Sequence, residues 1–240
     1  MPGCGGAAGN AVGGEGEMSL TVIKIGGSLM RAKVLDALCV HLSEMTARHS
    51  MLIVPGGGPF ADAVRDADRT HHLSDSAAHW MAVLAMNQYG YMIADRMPGS
   101  RLVRTMGDIR RALAKQLIPV WLPFEVLCRH DPLPHSWEVT SDTIAAWVAR
   151  QLKAAMVVLV KDVDGLYDAS LGSEIQDRPL LKTIRLEQLA ANGGVDPYLA
   201  GLLKTVTFPL WVVNGLEPQR VERLLSTGQT MGTLLDRSSL

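Results

Sequence analysis

The sequence predicts an α/β fold, a three-layer αβα sandwich on a central, mostly parallel sheet. Three observations carry that expectation. Short β-branched apolar runs alternate with helical apolar patterns along the chain, as strand–helix–strand units do. Two of those runs, near residues 20 and 51, end in glycine-rich turns that open helices. The 240 residues, 48% hydrophobic and 20% charged, suffice for one large core or a core with two lobes.

Residues 1–17 are rich in glycine and alanine, without a basic start or a continuous apolar run. They do not read as a secretory signal, and a disordered N-terminal extension is expected. Met18 is a second candidate start. The first strand, 20–23, runs into Lys24-Ile25-Gly26-Gly27-Ser28. Adjacent glycines let a backbone turn its amides toward an anion, and a following helix N-terminus adds a positive field. The other reading of this stretch is an ordinary strand-to-helix turn with a surface lysine.

A helix with one buried face is expected over 29–49, from Val34, Leu35, Leu38, Leu42 and Met45. The second strand, 51–54, runs into Pro55-Gly56-Gly57-Gly58-Pro59 and a helix from Phe60. Three consecutive glycines are costly on folding, which suggests that a ligand approaches this backbone. Arg65, Arg69, His71 and His72 come next. They form either a solvated face or a holder for an anionic acceptor.

A long helix is expected from Ser74-Asp75 to about Met97, with Asp75 as its cap. It is apolar around nearly its whole circumference, so it should be buried or face another copy, and a homo-oligomer is expected. Then come a strand over 101–105, a helix over 107–116, a strand over 118–122 and a proline-bearing loop. A helix over 144–152 has Ser141 or Asp142 as candidate caps. A strand over 155–160 leads to Lys161-Asp162-Val163-Asp164-Gly165-Leu166-Tyr167. The remaining elements are a strand over 210–213 closed by Asn214-Gly215, a helix over 218–225 and a closing strand over 231–235.

Net charge is −1, with no basic stripe, so nucleic acid is not an expected partner. No span suits a membrane. Cys4, Cys39 and Cys128 have no metal or disulfide spacing. They point to a reducing, cytoplasmic compartment, with Cys39 and Cys128 as small core residues and no metal site in the protein.

Taken together, Lys24-Ile25-Gly26-Gly27-Ser28, Pro55-Gly56-Gly57-Gly58-Pro59, Thr140-Ser141-Asp142, Asp162-Val163-Asp164-Gly165-Leu166-Tyr167 and Val213-Asn214-Gly215 with Gly232-Thr233 resemble the ordered signature of the amino acid kinase superfamily. Around Gly56 to Arg65 and Ala78 to Gly90 the sequence is most similar to the branch containing the aminomethylfuranmethanol phosphate kinases of methanofuran biosynthesis.

The resemblance implies an ATP-dependent kinase that turns a phosphate monoester into a diphosphate. Residues 18–138 would form the acceptor-binding lobe and 139–240 the nucleotide-binding lobe. Lys24 would meet the phosphates and the developing charge, and Asp142 would orient the lysines. Gly26, Gly27 and Ser28 would cradle the migrating group with Gly56, Gly57 and Gly58. Lys161, Asp162, Asp164, Gly165 and Tyr167 match the nucleotide segment, and Mg2+ would be held largely by ATP phosphates. Arg65 and His72 are candidates for the acceptor phosphate, with Asp62, Asp75 or Glu138 for an acceptor amine.

One departure bears on the substrate. Carboxylate kinases of the superfamily carry a second lysine after a Gly-Gly-Met, whereas here Gly193-Gly194-Val195 is followed by Asp196-Pro197-Tyr198. This favours a phosphate acceptor. Lys161 would supply the missing charge or be a plain surface lysine. A kinase of amino-acid carboxylates or nucleoside monophosphates is the alternative within the class. A non-catalytic nucleotide- or oxyanion-binding protein is the alternative outside it.

Overall fold

The structure is a computed structural model and describes residues 19–31, 34–171 and 178–236. The extension expected over 1–17 lies outside the described residues. The strands β1 (Leu20–Ile25), β2 (Ser50–Pro55), β3 (Ser100–Val103), β4 (Ile118–Trp121), β5 (Met156–Lys161), β6 (Thr183–Arg185), β7 (Leu210–Asn214) and β8 (Thr233–Asp236) form one sheet. Its order is β3-β4-β2-β1-β5-β7-β8-β6, parallel throughout except for β7 against β8. The helices are α1 (Ser28–Arg31), α2 (Leu35–Glu44), α3 (Gly58–His71), α4 (Asp75–Arg96), α5 (Met106–Ala114), α6 (Phe124–His130), α7 (Ser141–Leu152), α8 (Leu186–Asn192), α9 (Leu199–Leu203) and α10 (Pro218–Thr227).

Alternation along the central strands sorts side chains into two cores. Val22 on β1 packs with Val54, Leu159 and the α7 residues Ile144, Ala145 and Val148. Its neighbours Ile23 and Ile25 face the opposite way, among Leu38 and Leu42 of α2 and Val221 and Leu224 of α10. All of these side chains are buried, and each valine, leucine and isoleucine contributes about 1.5–3 kcal/mol by leaving water. Lys24 stands two residues from Val22, so the strand turns it toward the α7 side.

Helix α4 supplies Val83 and Met86 to one core and Tyr89 and Ile93 to the other. Serving both explains why apolar residues run round most of it. Met81, Leu84 and Tyr91 on its remaining side are exposed.

The structure departs from the sequence-based elements in several places. Two helices, α1 and α2, stand where one was expected over 29–49. Ser74, not Asp75, caps α4, its hydroxyl accepting the Ala77 N–H at 3.2 Å. Neither Ser141 nor Asp142 caps α7; both are inside its first turn, and Thr140 holds the cap position without a side-chain bond. Where only a loop was expected, Pro123 occupies the cap position of α6, which buries Val126 and Leu127. Cys39 is buried, but Cys128 on α6 is exposed rather than a core residue. Cys4 lies outside the described residues.

Candidate active site

β1 and β2 pair in parallel register, Ile25 opposite Pro55, so their glycine turns lie side by side at one sheet edge. A Cβ on Gly27 would collide with the Cα and N of Gly58, and Gly58 itself has φ of +56°. The two loops therefore touch through bare backbone. Something does approach this backbone closely, but it is the other loop: packing requires a glycine at 27, and the left-handed turn favours one at 58. The Gly26 N–H donates to Val160 O at 2.8 Å and the Gly56 N–H to Ile25 O at 2.9 Å. Those two amides are spent on the scaffold and are not part of a phosphate cradle. Gly27, Ser28, Gly57 and Gly58 do line the adjoining cleft, where the N-terminus of the 14-residue α3 opens. The buried Tyr89 of α4 braces this floor, its hydroxyl donating to Gly26 O at 3.2 Å.

Lys24 meets Asp142 at the start of α7, with Nζ 2.8 Å from Oδ1. Lys161, at the end of neighbouring β5, approaches the other carboxylate oxygen at 2.8 Å and also donates to Gly194 O at 2.5 Å. Lys24 is 6% exposed and Asp142 3%. Burial lowers the Lys24 pKa, opposed by the Asp142 charge. Burial alone would raise that of Asp142, but the Lys161 and Lys24 ammonium groups hold it well below the usual carboxylate range. The three groups amount to two cations sharing one anion. The surplus positive charge faces the cleft, in low-dielectric surroundings where it acts strongly on an entering anion. Lys161 is thus a member of a buried ion-pair set rather than a plain surface lysine.

The cleft encloses about 240 Å³ and runs from Lys24 and Asp142 past Asp62, Arg65 and Asp75 to His79 and Trp137. Arg65 donates to Asp62 Oδ1 at 3.1 Å, and its guanidinium carbon lies 4.8 Å from the Trp137 ring centroid. The Trp137 indole in turn donates to Asp68 Oδ2 at 2.7 Å. His79 stacks on His135 with centroids 4.4 Å apart. Burial, helped by the nearby His135, pushes its pKa down to about 4, so it is neutral at pH 7. His72 does not join this group. It is exposed at the left-handed C-cap of α3, with φ of 51°, and does not line the cleft.

Sequence reasoning misses His79 and Trp137 as cleft residues. Trp137 lies in an irregular stretch without periodicity, and a histidine inside an apolar helix reads as core until its neighbours are known.

The family model "Amino acid kinase family" matches residues 19–207, a span that holds the glycine turns, both lysines and Asp142. The chain belongs to the amino acid kinase family. It is an ATP-dependent phosphotransferase. It is 32% identical over 206 residues to the [5-(aminomethyl)furan-3-yl]methyl phosphate kinase of Methanocaldococcus jannaschii, covering 85% of this chain and 92% of that one. A uridylate kinase of Methanospirillum hungatei is 23% identical over 245 residues, covering 92% and 96%. The crystal structure of uridylate kinase from Archaeoglobus fulgidus shares the fold, with a TM-score of 0.72 at 16% identity over 91% of this chain and all of that one.

In this kinase the segment after β5 lies beyond the cleft. Asp162, Asp164, Gly165 and Tyr167 are not among its lining residues. Asp162 is exposed. Asp164 accepts from Asn214 Nδ2 at 2.8 Å and from Arg220 Nη1 at 2.5 Å, and the Asn214 bond followed by Arg220 draws its pKa down. A Cβ on Gly165 would come within 2.5 Å of Thr233 Oγ1, which itself accepts the Leu166 N–H at 2.8 Å. Tyr167 pairs with Leu180 in an isolated bridge. The Asn214 and Thr233 motifs therefore latch this segment onto β7, β8 and α10, at the same sheet edge as the cleft. Among the described residues no helix is long and apolar enough to cross a membrane, and no three His, Cys, Asp or Glu side chains gather as a metal site.

Proposed function

We propose that this kinase transfers the γ-phosphoryl group of ATP to a small phosphate monoester that also carries an amine, of the aminomethylfuran-methanol phosphate type. In the transfer the bond from the γ-phosphorus to its bridging oxygen breaks. A new bond forms from an acceptor phosphate oxygen, and a diphosphate and ADP result. The observation that carries the reading is the cleft beside Lys24, where Arg65 and the Gly27 and Gly58 backbone stand with the carboxylates Asp62 and Asp75 and the neutral ring of His79. Such a set suits an acceptor with phosphate at one end and ammonium at the other, since an uncharged imidazole does not repel the amine. The 32% identical relative supports the same class of acceptor.

Asp142 bears on the acceptor too. Held ionised by two lysines, it is a poor base, and an acceptor with an ionised oxygen needs none. Lys24 and Lys161 then act by charge and alignment. Residues 18–138 supply the acceptor side and residues 139–240 the nucleotide side, where Lys161, Asp162, Asp164, Gly165 and Tyr167 border the ATP. Mg2+, held by the phosphate oxygens, would offset their charge.

The test is ADP release with product identification by phosphorus NMR, offering ATP and Mg2+ with [5-(aminomethyl)furan-3-yl]methyl phosphate, uridylate, N-acetylglutamate or aspartate. A diphosphate from the first is expected. Phosphorylation of a carboxylate with no turnover of either monoester would overturn the proposal, as would ATP binding with no transfer to any of them. Uridylate alone as acceptor would retain the phosphate class and remove the amine.

Arg65→Ala should raise the acceptor KM about ten- to hundredfold while ATP affinity stays within about twofold. Removing a charged hydrogen bond costs about 1.5–3 kcal/mol in both ground and transition states. Titrating each substrate separately checks this. An unchanged acceptor KM would remove Arg65 from the acceptor site.

A further inference from the structure

The segment that carries Gly193-Gly194 in place of a lysine-bearing loop also brings Asp196 against the start of α7. Asp196 is 6% exposed. Its Oδ2 accepts the Thr140 N–H at 3.0 Å, the Thr140 hydroxyl at 2.9 Å and the Thr143 N–H at 2.9 Å. Its Oδ1 accepts the Thr143 hydroxyl at 2.5 Å and the Leu199 N–H at 3.0 Å. All five donors are uncharged. Four of them belong to the residues two before and one after Asp142, and α7 has no side-chain cap of its own. A carboxylate more than fifty residues away in sequence therefore performs the capping that the N-terminus of this helix needs. Two residues before it, the Gly194 carbonyl holds the Lys161 ammonium.

We propose that Asp196 is a positioning residue for phosphoryl transfer, clamping the first turn of α7 so that Asp142 holds Lys24 and Lys161 in register with the cleft. One short segment then grips both sides of the charge set: α7 through Asp196, Lys161 through Gly194. A small rotation of the first turn of α7 would shift the Asp142 oxygens relative to both ammonium groups. Misplacement on the ångström scale costs catalysis heavily while leaving binding largely intact. The inference rests on the ion-pair set and not on the identity of the acceptor.

Asp196→Asn tests it with little change in shape. Whichever way the amide turns, its NH2 faces a backbone N–H, of Thr143 and Thr140 on one side or of Leu199 on the other, so the clamp opens. In protein that remains folded by circular dichroism, kcat with [5-(aminomethyl)furan-3-yl]methyl phosphate should fall at least about tenfold with ATP KM within about threefold. Loss of thermal stability with parental kcat would mean a purely structural carboxylate and overturn the proposal. Should the variant not fold, Thr143→Val and Thr143→Ser decide. The valine should lower kcat and the serine restore it, and parental kcat in the valine variant would overturn the clamp. Carbon NMR of labelled lysine Cε gives a readout that needs no turnover. The Lys24 and Lys161 resonances should move in Asp196→Asn or Thr143→Val, and unmoved resonances in a folded variant would also overturn it. If the parent fails to use the acceptor while those resonances still move, the substrate reading fails and the clamp stands.

Discussion

Lys24→Ala is expected to lower kcat by at least about a hundredfold in a protein that still folds. The magnitude is that of removing one preorganised partner of transition-state charge, about 2.7–4 kcal/mol. Lys24 reaches the cleft floor directly, and the charge it presents is fixed in place by Asp142 before any substrate arrives. Folding should survive because Asp142 keeps Lys161 as a counter-ion at 2.8 Å, so the substitution leaves no buried carboxylate unpaired. Steady-state kinetics beside circular dichroism and a melting curve check both halves. Near-normal kcat in well-folded protein would sink the assignment of Lys24.

Asp142→Asn should do more damage, to stability as well as rate. It leaves the almost fully buried Lys24 ammonium beside a second ammonium with no anion between them. Breaking a buried ion pair from one side costs about 3–5 kcal/mol, a large share of the stability of a domain this size. The pH dependence comes from the signs of the shifts. Asp142 titrates lower in the folded chain than in the unfolded one. Its contribution is thus fully present above the unfolded carboxylate value of about 3.9 and is lost as pH falls through the lower folded value. On the acid side the stability gap between parent and variant should therefore persist until strong acid and close there. In the variant Lys24 loses the charge that opposes its desolvation, so its folded pKa falls further below that of the unfolded chain. Stability of Asp142→Asn should then recover in part as pH rises toward the unfolded lysine value of about 10.4, because the folded lysine sheds its proton first. Denaturant unfolding of both proteins at several pH values reads this. A gap that stays constant into strong acid would contradict it.

The elements legible in the sequence are those that local chemistry defines. The β1 and β2 apolar runs, the glycine turns after them and the long α4 all lie within a few residues of their expected places, because period, turn chemistry and capping act over short separations. Short helices such as α6, α8 and α9 escape that reading, since a few turns without a long apolar stripe carry little periodic signal. His72 shows the opposite failure. Its nearness in sequence to Arg65 suggests a shared site, but α3 ends between them in a left-handed cap that turns the histidine away.

The sequence by itself determined the α/β class, the order of the motifs and the residue types at the charge set, because strand alternation sends Lys24 to one face and each strand end exposes its turn at the sheet edge. Tertiary structure alone decided which groups meet there. Asp142 binds two lysines rather than capping its helix, because Asp196 takes the capping role from 56 residues beyond Thr140. Trp137 reaches the cleft by bonding to Asp68, 69 residues distant. The glycines of two separate turns are bare because each loop needs the space of the other. Contacts of that kind depend on sheet order and packing, which bring together residues that no local pattern in the chain relates.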